Sequence, residues 1–414
     1  MEYGLIGEKL GHSFSREIHE KLRGYSYELR ELRPDEVEAF LAAREFRGIN
    51  VTIPYKETVI PYLDEIDAAA RAIGAVNTVV NRGGRLCGYN TDFLGMRNLM
   101  LREGINPSGK KVLVLGSGGT SKTALTVVKS LGASAVYRVS RQKRDDCITY
   151  EEARAEHSDA GIIINATPVG MYPNTDASPV DLSDYPGLTG VVDAIYNPLR
   201  TKLVLAAKER GISATGGLYM LVAQAAAAAE HFTGEACNPA EVTRVYRELL
   251  LGKENLVLTG MPGVGKTTIG RIAAKRLGRR FVDSDEVIAE RAGCDIPTLF
   301  ATQGEKAFRD METAALRELS ATGGKVIATG GGAVLRPENV NALRAGGVIL
   351  FLDRPLSSIT ATEGRPLSAN REALEARYRE RYPIYCRTSD EQVRTDGTIE
   401  TVAEEVLQTF LEHE

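Results

Sequence analysis

Short apolar runs recur along the chain, most of them bounded by glycine, with polar stretches of helical period between them. Leu5–Ile6, Val112–Leu115, Ile162–Ile164, Val191–Val192, Leu256–Leu258, Val326–Ala328 and Val348–Leu352 read as buried strands. Glu36 to Arg44, Lys122 to Leu131 and Asp310 to Leu319 carry apolar residues at helical spacing. Strands that are apolar throughout are covered on both faces, so the alternation predicts an α/β architecture with parallel sheets. Two glycine-rich turns join a predicted strand to a predicted helix, at Gly116–Gly119 and at Gly260–Gly265. Such turns set backbone N–H groups and the positive end of a helix against phosphate, and their wide separation predicts two nucleotide sites on two sheets. Between them, Asn238 to Leu251 reads as a helix with Asn238 as cap, Pro239 in the first turn and Gly252 as its stop. A strand begins at Asn255, which leaves residues 252–254 as the linker.

The 414 residues exceed one ordinary domain, and 43% hydrophobic with 26% charged residues is the balance of a globular protein with two or three cores. A formal net charge of −4 offers no basic excess toward nucleic acid or an anionic membrane. The five cysteines (Cys87, Cys147, Cys237, Cys294, Cys386) lack metal-ligand spacing and read as reduced thiols in the cytoplasm. Tyr3–Ile6 is already strand-like, so no secretory leader is expected, and no apolar run approaches the ~18 residues of a membrane span.

The first glycine turn, Gly116–Ser117–Gly118–Gly119–Thr120, suits a pyrophosphate. The next strand, Ala135 to Val139, ends where such folds read the adenosine ribose, and there stand Ser140, Arg141, Gln142, Lys143 and Arg144 with no acid. A guanidinium pairs well with the 2′-phosphate of NADP, so Arg141 is assigned to it, while Lys143 reads as solvated.

His12–Ser15, Asn50–Lys56, Gly74–Thr78, Gly88–Asp92, Asn165–Met171, Asp193–Pro198 and Gly216–Gln224 together resemble the shikimate dehydrogenase family across roughly residues 1–248. The resemblance implies that Lys56 is the catalytic lysine beside the ketone oxygen, with Asp92 as its partner. It further implies that Ser13 and Ser15 bind the substrate carboxylate and that Asn50, Thr52, Asn77 and Gln224 bind ring hydroxyls. Tyr196 would close the pocket, and Thr167, Met171, Gly217 and Met220 would lie along the nicotinamide. Lys9 and Arg16 stand where the family usually has proline, and Ser117 and Thr120 where alanine is commoner.

The second turn, Gly260 to Thr267, matches GxxxxGK[ST] in full: Gly263, Val264 and Gly265 ring the phosphates, Lys266 reaches the outer ones, and Thr267 can ligate Mg²⁺ ahead of Thr268. With Phe281–Asp285, Phe308–Arg309, Gly330–Ala333, Gly364–Leu367 and Arg381–Tyr385 in order, residues 255–409 resemble shikimate kinase. That resemblance implies Asp285 as base or orienter of the attacking hydroxyl and Asp283 near the Mg²⁺. It also implies Arg309 and Arg381 on the carboxylate, with Glu312 steadying Arg309. Gly331 and Gly332 would present backbone N–H groups, and Arg365 would be a lid arginine on the transferring phosphoryl. Arg371, Arg377 and Arg379 read as an exposed helix face, and Arg394–Thr398 matches the adenine segment poorly.

The implied layout is a substrate-binding domain at 1–104, rejoined by 218–251, and a Rossmann NADP-binding domain at 105–217. A linker at 252–254 leads to a P-loop kinase domain with a parallel sheet at 255–414. The expected function is two consecutive reactions of chorismate biosynthesis, 3-dehydroshikimate with NADPH to shikimate, then shikimate with ATP to shikimate 3-phosphate. The partners are then small molecules, without nucleic acid or membrane. Two alternatives stand beside it: one half a silent regulatory module, which the complete set of catalytic side chains opposes, or an NAD-using quinate dehydrogenase, which Arg141 and the paired serines oppose.

Overall fold

The computed structural model describes residues 1–11, 13–144, 146–359 and 371–413. The chain divides into two compact units, Met1–Leu249 and Leu250–Glu414.

The first unit holds two sheets. Strands β1 (Tyr3–Gly7), β2 (Tyr27–Glu31), β3 (Gly48–Val51), β4 (Glu65–Ile66), β5 (Thr78–Arg82) and β6 (Arg85–Tyr89) form one, in the order β2-β1-β3-β5-β6-β4. β1 is parallel to both neighbours, whereas β5 is antiparallel to β3 and β6. The sheet is therefore mixed where the alternation alone predicts parallel pairing. The cause is local: Gly83–Gly84 between β5 and β6 makes a two-residue hairpin, which antiparallel strands accept and parallel ones cannot. The helix Leu218–Thr233 packs back on this sheet so closely that a Cβ on Gly48 of β3 would lie 2.3 Å from the Phe232 ring.

The second sheet, β7 (Lys111–Leu115), β8 (Ala135–Ser140), β9 (Ile148–Thr149), β10 (Ile162–Asn165), β11 (Gly190–Asp193) and β12 (Ser213–Thr215), is parallel and ordered β12-β11-β10-β7-β8-β9. Alternate residues fill cores on opposite faces, Val112 and Val114 with Ile162 and Ile164 on one, Leu113 and Leu115 with Ile163 on the other. The strand order reverses at β7, which opens a crevice beyond its carboxyl end, where Gly116 follows.

In the second unit β13 (Asn255–Thr259), β14 (Arg280–Asp283), β15 (Lys325–Ala328), β16 (Gly347–Asp353) and β17 (Glu391–Arg394) are parallel in the order β14-β15-β13-β16-β17. β13 and β16 are buried along their length in one core. The expected stop at Gly252 is overridden, because the helix Pro239–Lys253 runs through it. Glu254 N donates to Leu250 O at 2.8 Å, and the Arg279 guanidinium donates to the carbonyls of Leu251 and Glu254, capping the last turn with a cation. Of the expected linker only Glu254 lies outside regular structure. Among the described residues no helix is long and apolar enough to cross a membrane.

Candidate active sites

In the first unit Lys56 lies in the loop after β3, and Asp92 opens the helix Asp92–Arg102. Lys56 Nζ donates to Asp92 Oδ2 at 2.6 Å, with side chains 15% and 9% exposed, far more sheltered than an ordinary surface pair. A buried amide and hydroxyl network fixes the segment that carries Asp92. Asn77 Oδ1 accepts from Thr91 N at 2.7 Å, and Asn77 Nδ2 donates to Thr91 Oγ1 at 3.0 Å and to Gln224 Oε1 at 3.4 Å. Residues far apart in sequence thus meet at one point. Thr91 and Thr78, whose hydroxyls lie 3.2 Å apart, belong to this network and were not singled out from the sequence; their adjacency to Asp92 and Asn77 was the available signal.

Asn50, like Asn77, makes its contacts within the buried network. Its Nδ2 donates to Asn77 O and Thr78 Oγ1 at 3.2 and 3.0 Å, and its Oδ1 accepts from Tyr27 Oη at 2.7 Å. Both donors are engaged inside the sheet, so Asn50 braces Asn77 from behind. His19 in the same region is fully buried, stacked on Tyr27 at 4.1 Å; burial pushes it down to about 3, so it stays neutral. The hydroxyls of Ser13 and Ser15 lie 3.1 Å apart, and Phe14 between them meets Tyr196 at 5.2 Å between ring centres. Thr52 is half-buried and its N–H donates to Ile6 O at 3.0 Å.

The glycine turn joins this cleft. A Cβ on Gly119, the first residue of the helix Gly119–Ser130, would lie 3.6 Å from Lys56 Cδ. Gly116 has φ of 120°, and a Cβ there would stand 2.9 Å from Ala166 O, so only glycine lets the turn pass the segment after β10. This cradle, a run of small residues entering a helix N-terminus beside Thr120, fits a pyrophosphate. Ser140 ends β8, Arg141 is exposed, Arg144 bridges to Cys147, and Lys143 is paired with Glu152. In the segment after β10, expected along the nicotinamide, Thr167 Oγ1 donates to Asn165 Oδ1 at 2.7 Å. Asp193 accepts from Asn165 Nδ2 and Ile195 N at 3.0 Å each and from Thr201 Oγ1 at 2.7 Å, which ties the loops after β10 and β11 together. Burial pushes this carboxyl up to about 6. Met171 is exposed and Gly217 packs beneath Ala194 O, but Met220 lies in the core with Val114 and Ile164 rather than along the cleft.

In the second unit Lys266 begins the helix Lys266–Leu277, and its buried Nζ donates to Gly260 O and Met261 O at 2.8 and 3.0 Å. Gly263, Val264 and Gly265 lie between, and Thr267 Oγ1 followed by Thr268 donates to Asp283 Oδ2 at 2.8 Å. Asp283 Oδ1 accepts from Asp285 N at 3.0 Å, capping the helix Ser284–Ala292. A Cβ on Gly330 would meet Asp285 Oδ1 at 2.6 Å and Glu312 Oε1 at 3.1 Å. Burial raises the Glu312 carboxyl although Arg309 Nη1 donates to it at 2.8 Å. Gly332 faces the same guanidinium: a Cβ there would lie 2.4 Å from Arg309 Nη2. Arg381 Nη1 donates to Gly331 O at 3.1 Å, and Tyr385 Oη donates to the same carbonyl. Burial pushes Tyr385 up to about 12, so it remains a donor; its place one helical turn after Arg381 was the unread signal. Arg379 is exposed, but Arg377 is half-buried beside Arg381, where the helix turns inward. Arg365 lies outside the described residues. Thr267 Oγ1 and Asp283 Oδ2 stand side by side as hard oxygen donors, which fits an Mg²⁺ held together with phosphate oxygens.

A family model for the shikimate dehydrogenase substrate binding domain matches residues 5–79, and one for shikimate kinase matches residues 262–411. The NADP(+) shikimate dehydrogenase of Clostridium perfringens (strain SM101 / Type A) is 37% identical over 265 residues, covering 60% of this chain and 97% of that protein. Shikimate dehydrogenase 1 from Peptoclostridium difficile is a similar solved structure, with TM-score 0.56, 37% identity, and 60% and 98% of the two chains covered. A chorismate mutase/shikimate 5-dehydrogenase fusion protein from Clostridium acetobutylicum gives TM-score 0.57 at 36% identity, covering 60% and 96%. The chain belongs to the shikimate dehydrogenase family and carries a shikimate kinase domain behind it, a fusion of an NADP-dependent oxidoreductase with an ATP-dependent kinase of aromatic biosynthesis.

Proposed function

We propose that the first site reduces 3-dehydroshikimate to shikimate and that the second phosphorylates shikimate to shikimate 3-phosphate. The observation that carries the reading is the sheltered Lys56–Asp92 pair set against the glycine turn. NADPH, when bound, supplies the hydride. Lys56 donates the proton to the oxygen that becomes the hydroxyl, and Asp92 orients Lys56 and accepts from a ring hydroxyl. Ser13 and Ser15 bind the carboxylate, Thr52, Asn77 and Gln224 the hydroxyls, and Tyr196 covers the ring. Gly116 to Thr120 take the pyrophosphate, Ser140, Arg141 and Arg144 the ribose phosphate, and Thr167, Met171 and Gly217 flank the nicotinamide.

MgATP, when bound, supplies the phosphoryl group. Gly263 to Thr268 cradle it, Lys266 neutralises charge, and Thr267 with Asp283 holds the metal side. Asp285 accepts the proton of the attacking hydroxyl, while Arg309, Arg381 and the N–H groups of Gly331 and Gly332 hold shikimate; Arg365 is assigned to the phosphoryl charge. The domains run as 1–104 with 218–251, 105–217, and 255–414. The cysteines are all free, which suits cytoplasmic work on small-molecule partners.

The testing experiment compares NADPH with NADH and shikimate with quinate in the intact chain, then adds MgATP and measures shikimate phosphorylation. NADPH and shikimate should be preferred, and phosphate should appear on shikimate. Equal use of NADH or quinate overturns the first assignment, and absent phosphorylation overturns the second.

A further inference from the structure

The cofactor crevice contains a buried cation that the motifs do not account for. Two-residue alternation along β8 puts Arg138 on the same face as Ser140, with Val139 in the opposite core. Arg138 is only 7% exposed. Its Nη2 donates to Ser117 O in the glycine turn at 2.7 Å, and its Nη1 is paired with Asp146 Oδ2. Its Nε is buried with no hydrogen-bond partner. Asp146, in contrast, has a side chain 63% exposed, in the loop that also carries Arg141 and Arg144.

We propose that Arg138 is a further specificity-determining residue for the 2′-phosphate of NADP, and that Asp146 is an internal carboxylate that occupies its guanidinium until the phosphate displaces it. This rests on the NADP assignment above. A guanidinium buried to this degree without an anion is strongly disfavoured, so its seat is filled in either state. The present partner is a solvent-exposed carboxylate, whose pairing is weak and screened. A phosphate brings more negative charge and three acceptor oxygens, which suit the fork of Arg138 better than one carboxylate does. NADH has no such group, so with it Asp146 stays in place.

The test titrates the full chain with 2′,5′-ADP and with 5′-AMP, which differ only in the 2′-phosphate, each read as displacement of NADPH so that the kinase nucleotide site does not contribute. Arg138→Met should weaken 2′,5′-ADP about tenfold or more, as loss of a charge-assisted bond does, and leave 5′-AMP within about twofold. Asp146→Asn, an exposed change that spares the fold, should tighten 2′,5′-ADP by about threefold or more with 5′-AMP unmoved. Equal weakening of both nucleotides by Arg138→Met would make the residue a structural support and overturn the proposal. So would unchanged 2′,5′-ADP binding in Asp146→Asn. If the unsubstituted chain binds the two nucleotides alike, the NADP assignment itself falls along with the inference.

Discussion

Lys56 and Lys266 are both ammonium groups at the centre of a site, yet the two units hold them in opposite ways. Lys56 meets a carboxylate from another element, and that element is fixed by Asn77, Thr91 and Gln224. Lys266 meets two carbonyl oxygens of its own loop. The difference follows from the chemistry each is assigned. A proton donor exchanges its proton every cycle, so a nearby carboxylate that restores orientation and charge is useful. A phosphate-binding cation stays charged throughout, and fixed backbone dipoles help to preset its position. A side-chain network makes the first site sensitive to residues far from the reacting atoms; a backbone cradle confines the second to its own loop and a few clamps.

The largest effect should come from breaking the donor side. Lys56→Ala should lower kcat of the reductase by about 10²–10⁴-fold while kinase turnover of the same preparation is unchanged. A variant that keeps most of its reductase activity removes Lys56 from proton transfer.

Next, Lys266→Ala should lower phosphoryl transfer by about 10²–10³-fold with reduction intact, measured by coupled ADP release. A fall in both activities would mean that the contrast between the two sites is one of overall stability instead.

A smaller effect sharpens the account of the clamps. Gly332→Ala puts a methyl group where the Arg309 guanidinium lies, so the KM for shikimate in the kinase reaction should rise about tenfold. An unchanged KM would show that Arg309 does not hold the substrate.

The smallest concerns pH. Burial raises Asp193 to about 6, above the usual value, so the folded state binds its proton more tightly than the unfolded chain. Its contribution is fully present below about pH 4 and is lost as pH rises through 6. Asp193→Asn removes the charge: its Oδ1 still accepts from Asn165 and Ile195, and its amide donates to Thr201 Oγ1 where the carboxylate accepted. The variant should therefore gain a few degrees in melting temperature relative to the parent between pH 5 and pH 7.5. A constant difference across that range would mean that Asp193 does not titrate there.

The strands and both glycine turns were legible because each is a contiguous pattern whose cause is local: apolar runs, tight turns, helix starts. The phosphate-binding loop was readable in full for the same reason, since backbone groups of adjacent residues make it. Gly252 shows the limit. A glycine ends a helix by default, and here a guanidinium from residue 279 caps the turn and carries the helix past it.

The amino-acid sequence by itself determined that this chain holds two nucleotide-binding α/β regions with the groups for reduction and for phosphoryl transfer. It also singled out Lys56, Asp92, Lys266 and Asp285, the residues to which the proposed roles are given. Only the tertiary structure decided which polar side chains face a cleft and which brace it. Asn50 turned inward to Tyr27 and Thr78, Thr91 joined Asn77 and Gln224, and Arg138 came beneath the glycine turn beside Asp146. The physical reason is that a buried polar group settles where partners complete its hydrogen bonds, and those partners arrive from 8 to 133 positions away.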